Sequence, residues 1–262
     1  MHKPRIAALT LTTLAALALG ACGSDDGGTT ESGAELIKDG TLTVCSDVPY
    51  PPFEDFDEST PTGFTGFDID IVTEIASRLE LELVVQDSSF DALQSGTALN
   101  AGQCDMAASA MTITDDRKEN IDFSEGYYDS EQSLLVPSGS DIAAIGDLDG
   151  VKLGVQQGTT GKAYAEENAS GADIVSFPSD AEMFQAIKAG QVEALLQDLP
   201  VNLDHTKNGD YEVVETYATD EQYGLAMKKG NTGLVDDVDG ALDDMRGDGT
   251  YDEIYNTYFA VN

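Results

Sequence analysis

Positive charge is scarce in this chain. Its 262 residues carry 13 Lys and Arg against 49 Asp and Glu, a formal net charge of -36. Phosphate binding needs clustered cations, and no basic stripe occurs, so nucleic acid is excluded as a partner. Docking of a folded surface on anionic lipid is disfavoured for the same reason. Histidine is limited to His2 and His205, and cysteine to three residues. No Cys and His cluster has the spacing of a metal site. Neither a nucleophile elbow nor a phosphate loop is present, so no cofactor and no covalent chemistry are indicated. Beyond the N-terminal segment, no apolar run reaches the roughly 20 residues of a membrane span. What the chain has in excess is carboxylate. Such acidity makes a soluble, self-repelling surface. A sharper reading is adaptation to high salt, where counterions screen the repulsion and the fold weakens as salt is removed.

The N-terminus reads as an export signal. Lys3 and Arg5 precede a nearly uncharged apolar stretch from Ile6 to Leu19, which ends in Leu19-Gly20-Ala21-Cys22. That ending resembles the bacterial lipobox. The resemblance implies a signal peptide at residues 1–21 and lipid on the Cys22 thiol; an ordinary secretory signal with an incidental Cys is the alternative. A lipidated residue holds a protein at a membrane face without a spanning helix. Residues 22–33 are Gly-, Ser-, Thr- and Asp-rich and read as a flexible tether. Export permits a disulfide between Cys45 and Cys104, the one intrachain pairing left, against the alternative of two buried thiols.

From Ala34 onward, strands and helices alternate. Thr41 to Cys45, Leu81 to Val85 and Met106 to Met111 read as strands. Residues 47–66 hold four prolines and read as loop. A helix follows, with Asp68 as its N-cap and Ile71, Val72, Ile75, Ala76 and Leu79 on one face. Phe90 to Leu99 reads as another helix. The pattern then recurs: strands at Val151 to Val155, Ile174 to Phe177 and Val192 to Leu196, with helices at Thr159 to Glu167 and Ser179 to Lys188. The second of these opens on a capping box, Ser179 and Glu182, and stops at Gly190. Two helices close the chain. Alternation of this kind argues for α/β architecture with parallel sheet. The expected domains are one lobe from 34–132 plus 224–262, and a second from 133–223. Extended crossings are expected near 133–137 and 217–224.

Several short motifs carry a family resemblance over Leu42 to Phe259. They are Asp47-Val48-Pro49-Tyr50-Pro51-Pro52-Phe53-Glu54, Gly66-Phe67-Asp68-Ile69-Asp70, Thr112-Ile113-Thr114-Asp115-Asp116-Arg117, Gln157-Gly158-Thr159-Thr160, Leu196-Gln197-Asp198 and Tyr223-Gly224-Leu225-Ala226. In order and spacing the chain is similar to the polar amino-acid-binding proteins of ABC transporters, the extracellular solute-binding proteins of family 3. The resemblance implies a two-lobed, type II periplasmic-binding-protein-like fold with a ligand cleft between the lobes. It further implies an extracytoplasmic protein, anchored through Cys22, that passes an amino acid to an importer permease. The chain is expected to act as a monomer.

An amino-acid ligand takes a carboxylate and an ammonium out of water, so each needs a charged or multiply bonded partner. Arg117 offers a planar fork for the carboxylate. Thr159 and Thr160 open a helix after Gly158, where outward N–H groups favour an anion. Asp198 ends a strand at the edge that faces a cleft in such sheets, and suits the ammonium. The Ala110 carbonyl and the Thr112 hydroxyl, in a segment that includes Met111, add further bonds. Tyr50 and Phe67 are expected as an aromatic wall. Asp47 occupies a position that, by the resemblance, reaches the ligand's side-chain end; a carboxylate there favours a basic or amide side chain and disfavours an acidic one. Gly161, where some relatives carry Gln, removes one contact. Rival readings are a dehydratase-type enzyme on the same fold and a binder of a compatible solute such as ectoine. His205, on a helix, is expected to be exposed rather than catalytic.

Overall fold

A computed structural model describes residues 27–30 and 33–260. The signal segment, Cys22 and the tether residues 22–26, 31 and 32 lie outside the described residues. In chain order the elements are β1 (Gly28–Thr29), β2 (Glu35–Leu36), β3 (Thr41–Ser46), β4 (Asp55–Phe56), β5 (Phe64–Thr65), α1 (Phe67–Arg78), β6 (Glu82–Asp87), α2 (Phe90–Gln94), α3 (Thr97–Asn100), β7 (Met106–Ala107), α4 (Asp115–Lys118), β8 (Ile121–Phe123) and β9 (Tyr128–Pro137). They continue with β10 (Lys152–Gln156), α5 (Thr160–Asn168), β11 (Asp173–Phe177), α6 (Asp180–Lys188), β12 (Ala194–Asp198), α7 (Leu199–His205), β13 (Tyr211–Tyr223), β14 (Ala226–Lys228), α8 (Thr232–Asp248) and α9 (Thr250–Phe259).

Two five-stranded sheets, one per lobe, organise the chain. The first has strand order β6-β3-β7-β14-β8 and the second β11-β10-β12-β9-β13. In each, the βαβ part is parallel: β3 with β6 and β7, β10 with β11 and β12. Helices cover both faces of such strands, so they read as apolar runs, and β3 is buried at every position. Antiparallel strands complete each sheet where the chain enters and leaves: β14 beside β7 and β8, β9 between β12 and β13.

The crossings form one antiparallel ribbon. Strands β9 and β13 pair from Tyr128 and Tyr223 beside the first lobe to Pro137 and Tyr211 in the second. This shifts the expected outward crossing. Residues 133–135 sit inside the second sheet, paired with Gln197, Leu196 and Leu195 of β12. The reason is hydrophobic: Leu134, Leu135 and Val136 are fully buried and belong to the second lobe's cores. The outward crossing is therefore the preceding residues, 128–131.

The C-terminal helices return to the first lobe. Leu234, Val238, Leu242 and Met245 of α8 share one core with Ile71, Val72 and Ile75 of α1. Each such buried side chain contributes about 1.5–3 kcal/mol over its exposed state. Arg78 of α1 also bonds Asp248 at 2.8 Å. Cys45 and Cys104 are joined by a disulfide, with Cα atoms 5.8 Å apart, in a core that holds Phe90, Leu93 and Leu99.

Local expectations change at several points. Part of the expected tether, Gly28–Thr29, pairs with Glu35–Leu36. Helix α1 is capped by Gly66, and Asp68 lies buried in its first turn, where its carboxylate accepts from Ala110 N at 2.8 Å and from Tyr127 OH at 2.7 Å. The expected helix from Phe90 to Leu99 is broken into α2 and α3 by Gly96, which adopts φ +75°. The strand expected over Met106 to Met111 ends at Ala107, because Ala110 turns into the left-handed region at φ +44°. His205 is packed rather than exposed. Its ring stacks on Phe184 with centroids 3.7 Å apart, and Nε2 lies 2.9 Å from the Asp180 carboxylate.

Candidate functional site

Three chain segments reach the interlobe cleft from the carboxyl ends of parallel strands, the end where ligands bind in open α/β sheets. Asp47 follows β3, Gln156 ends β10 and Asp198 ends β12. Arg117 arrives differently, from the short helix α4. Thr114 caps that helix, its hydroxyl accepting from Arg117 N at 3.2 Å, which fixes the arginine's point of departure.

These residues meet in one narrow cavity between the lobes. The first lobe lines it with Asp47, Tyr50, Phe90, Ser109, Ala110, Thr112 and Arg117. The second contributes Gln156, Thr159, Thr160 and Asp198. Arg117 and Asp198 thus share a cavity while belonging to different lobes.

Arg117 is 6% exposed. Its guanidinium donates to the Thr112 carbonyl at 2.7 Å and, across the cleft, to the Gly158 carbonyl at 3.0 Å. It also lies 5.2 Å from the centre of the Phe90 ring, a cation–π contact. Burial lowers its pKa to about 10, opposed by Asp198 and Glu221, so it stays charged at neutral pH.

Asp198 is a buried carboxylate under several donors. Tyr223 OH donates at 2.6 Å, Tyr50 OH at 2.9 Å and Gln132 Nε2 at 2.5 Å. Burial, then the nearby Glu221, raises its pKa to about 7; the three donors oppose the rise. Asp47 receives Gln156 Nε2 from the opposite lobe at 2.7 Å. Burial raises it to about 6, with the Gln156 bond acting against that.

Thr159 is the N-cap of α5: its hydroxyl accepts from Lys162 N at 3.1 Å and donates to the Gln156 carbonyl at 2.8 Å. That leaves Thr160, at the first position of the helix, as the residue whose hydroxyl enters the cleft. It donates to Glu221 at 2.7 Å. The first N–H groups of a helix have no intrahelical acceptor, so this helix start is suited to an anion.

Of the site residues expected from sequence, Asp47, Tyr50, Ala110, Thr112, Arg117, Thr159, Thr160 and Asp198 line the cavity. Phe67 and Met111 do not. Phe67 is fully buried in the first lobe's core, edge-on to Phe53 and Phe259. Met111 is buried beside Phe90, Leu93 and Ile121. The aromatic partner of Tyr50 in the cavity is Phe90 instead. Sequence reading also missed Ser109, Gln156, Gln132 and Glu221. The missing contact at Gly161 has a structural counterpart: a Cβ there would lie 2.7 Å from Gln132 Oε1, so the amide of Gln132 fills that space.

No described helix is long and apolar enough to cross a membrane. Comparison with known proteins agrees with the fold. The family model for bacterial extracellular solute-binding proteins, family 3, matches residues 42–261. The chain is 35% identical to an ABC transporter glutamine-binding protein of Bacillus subtilis (strain 168), with 97% of each chain covered. It is 32% identical to a probable histidine-binding protein of Neisseria gonorrhoeae, over 94% of this chain and 92% of that one. Among solved structures, an ancestral arginine-binding protein bound to arginine superposes with a TM-score of 0.79 at 36% identity, covering 84% of this chain and 99% of that one. An ancestral arginine-binding protein bound to glutamine superposes with a TM-score of 0.78 at 36% identity, covering 85% of this chain and 99% of that one. With a two-lobed fold, a cleft that pairs a buried arginine with a buried aspartate, and relatives that are binding proteins rather than enzymes, the chain belongs to the bacterial extracellular solute-binding proteins of family 3.

Proposed function

We propose that this protein captures a polar amino acid with a basic or amide side chain outside the cytoplasm, and delivers it to an ABC importer. The observation that carries the reading is the shared cavity of Arg117 and Asp198, a guanidinium and a carboxyl group on opposite lobes. Arg117, Thr112 and the start of α5 receive the ligand carboxylate. Asp198, held by Tyr50 and Tyr223, receives the ammonium. The Asp47 and Gln156 pair faces the side-chain end.

Charge favours a basic ligand. In and beside the cavity, the buried carboxylates Asp47, Asp198 and Glu221 stand against the single guanidinium of Arg117. A zwitterion adds no net charge; a cationic side chain moves the balance toward neutrality. The glutamine-, histidine- and arginine-binding relatives fit the same range. A ligand that touches both lobes has its highest affinity for the closed arrangement, which shifts the hinge population. The lipid anchor at Cys22 would keep the closed form near its permease, and the chain is taken to act as a monomer.

A thermal-shift screen of the twenty amino acids tests the proposal, because a ligand for the folded state raises the melting temperature by mass action. Arginine, lysine, histidine or glutamine should raise it, glutamate and aspartate should not, and Arg117→Ala should abolish the shift while the empty protein stays folded. An undiminished shift in Arg117→Ala removes this residue from the site.

A further inference from the structure

The two hydroxyls placed to receive a ligand carboxylate are already engaged. Thr112 Oγ1, from the first lobe, donates to Glu221 Oε2 at 2.6 Å. Thr160 Oγ1, from the second lobe, donates to the same oxygen at 2.7 Å. The other oxygen of Glu221 accepts from Gln132 Nε2 on the facing strand at 3.1 Å. Glu221 is 8% exposed, and its charge acts on both Arg117 and Asp198.

Backbone geometry aims Glu221 inward. Tyr217 faces Gln132 and Glu221 faces Ser130, so residues 218–220 bulge against Glu131 alone. Asp220 within the bulge holds φ +52°, a left-handed conformation that aspartate tolerates better than most residues. The bulge adds an even number of residues and so keeps the alternation: Tyr217, Glu221 and Tyr223 are buried on one face while Ala218, Asp220 and Gln222 are exposed on the other. A buried carboxylate is costly unless its bonds are made, and here they come from both lobes and from the ribbon that joins them.

We infer that Glu221 is a built-in competitor for the carboxylate end of the ligand. With these bonds made it takes the seat between Thr112 and Thr160 and ties the lobes together. An entering ligand carboxylate must take those hydroxyls from it, beside a like charge. Glu221 therefore lowers affinity and biases the empty protein toward closure. This rests on the proposed placement of the ligand carboxylate at Arg117, Thr112 and Thr160.

Glu221→Gln separates charge from contact, because the amide keeps an acceptor for the threonine hydroxyls and loses the anion. Titration calorimetry with arginine and glutamine should show tighter binding in this variant, on the order of ten-fold or more. The control Glu131→Gln removes an equal charge from an exposed position on the facing strand and should leave affinity unchanged. Small-angle scattering should show that empty Glu221→Ala, which loses charge and contact together, is more open than the empty wild type. Weaker or unchanged binding in Glu221→Gln overturns the inference, as does an equally closed Glu221→Ala. If the wild type binds no amino acid at all, the proposed function itself fails and the inference goes with it. If the wild type binds and Arg117→Ala does not, the function stands and the glutamine variant alone decides.

Discussion

Tyr50 and Asp198 are bonded across the cleft, the phenol of the first lobe donating to the carboxylate of the second at 2.9 Å. The contact places an aromatic ring and an anion side by side on opposite lobes. It exists only when the lobes are together, so it reports closure. Tyr223, from the return strand, donates to the same oxygen at 2.6 Å. The anion is thus held by both lobes and by the ribbon that connects them, which couples the seat of an ammonium group to the hinge. Burial and the neighbouring Glu221 push the Asp198 carboxyl up to about 7, and the bonds from Tyr223, Tyr50 and Gln132 pull the other way.

Side-chain selectivity is predicted to sit on Asp47. Its carboxylate faces Gln156, with Asp87 and Asp180 adding negative potential nearby. Asp47→Asn keeps the shape and removes the charge. Affinity for arginine or lysine should fall by about 10- to 100-fold, the scale of one lost charge-assisted bond, while glutamine binding changes by less than about three-fold. Competition binding with the three amino acids measures the ratio. A parallel loss for all three would mean that Asp47 supports the fold rather than the choice.

Phe90 is predicted to position Arg117. The ring lies 5.2 Å from the guanidinium carbon and is 6% exposed. Phe90→Leu preserves bulk in the core that holds the disulfide but removes the π face. Affinity should drop by about three- to thirty-fold through the lost cation–π contact, with little change in melting temperature. Tyr at this position should restore affinity; failure to do so would make the effect one of packing.

Much of the site was legible because its chemistry needs particular residue types at particular strand ends. Arg117, Asp198 and Thr160 could be picked out from motif and position, and all line the cavity. Phe67 and Phe90 show where that reading ends. Each is an aromatic residue opening a helix after a loop, and the pattern does not say which faces the cleft. Phe67 is drawn into the core by Phe53, Tyr128 and Phe259. Glu221 was invisible for another reason. It is one acid among 49, on a strand whose other buried positions nearby are the tyrosines Tyr217 and Tyr223, so a carboxylate on that face reads as a solvated one. The same limit applies to 133–137, where an apolar strand reads equally as crossing or as sheet. Alternation and buried apolar runs, by contrast, marked the two α/β lobes clearly, because parallel strands covered on both faces leave little freedom in composition.

The empty protein is predicted to be most stable in mild acid. Asp68 is buried and raised to about 7, with bonds from Ala110 and Tyr127 opposing the burial. Glu54 is also raised well above the usual carboxylate range, by burial and then by Asp68. Glu54 Oε2 and Asp68 Oδ1 have no hydrogen-bond partner. A carboxyl whose pKa is raised on folding stabilises the fold below its ordinary value, and that stabilisation is lost as pH rises through the folded pKa. For Asp68 the loss should run from about pH 4 to about pH 7, so the melting temperature should fall across that range, by on the order of 5 °C. Glu54→Gln should flatten the slope. A melting temperature that rises across this window would contradict the assignment.

Ligand binding is predicted to release protons. Asp198 in the empty cleft titrates near 7, surrounded by Tyr50, Tyr223, Gln132 and Glu221, with Arg117 close by. An ammonium against it favours the charged form and lowers that pKa. Below pH 7 the empty protein therefore carries a proton on Asp198 that the complex sheds, and above about pH 8 it has none to give. Affinity should accordingly rise with pH, up to about ten-fold per pH unit below 6.5, and level off above 8. Calorimetry at pH 6.5 in two buffers of different ionisation enthalpy counts the protons directly, and the count should lie between zero and one from this group. Asp198→Asn should abolish that release and weaken binding by about 100-fold or more, because the ammonium then loses its buried anion. Wild-type binding without any proton release at pH 6.5 would place the ammonium elsewhere in the cleft.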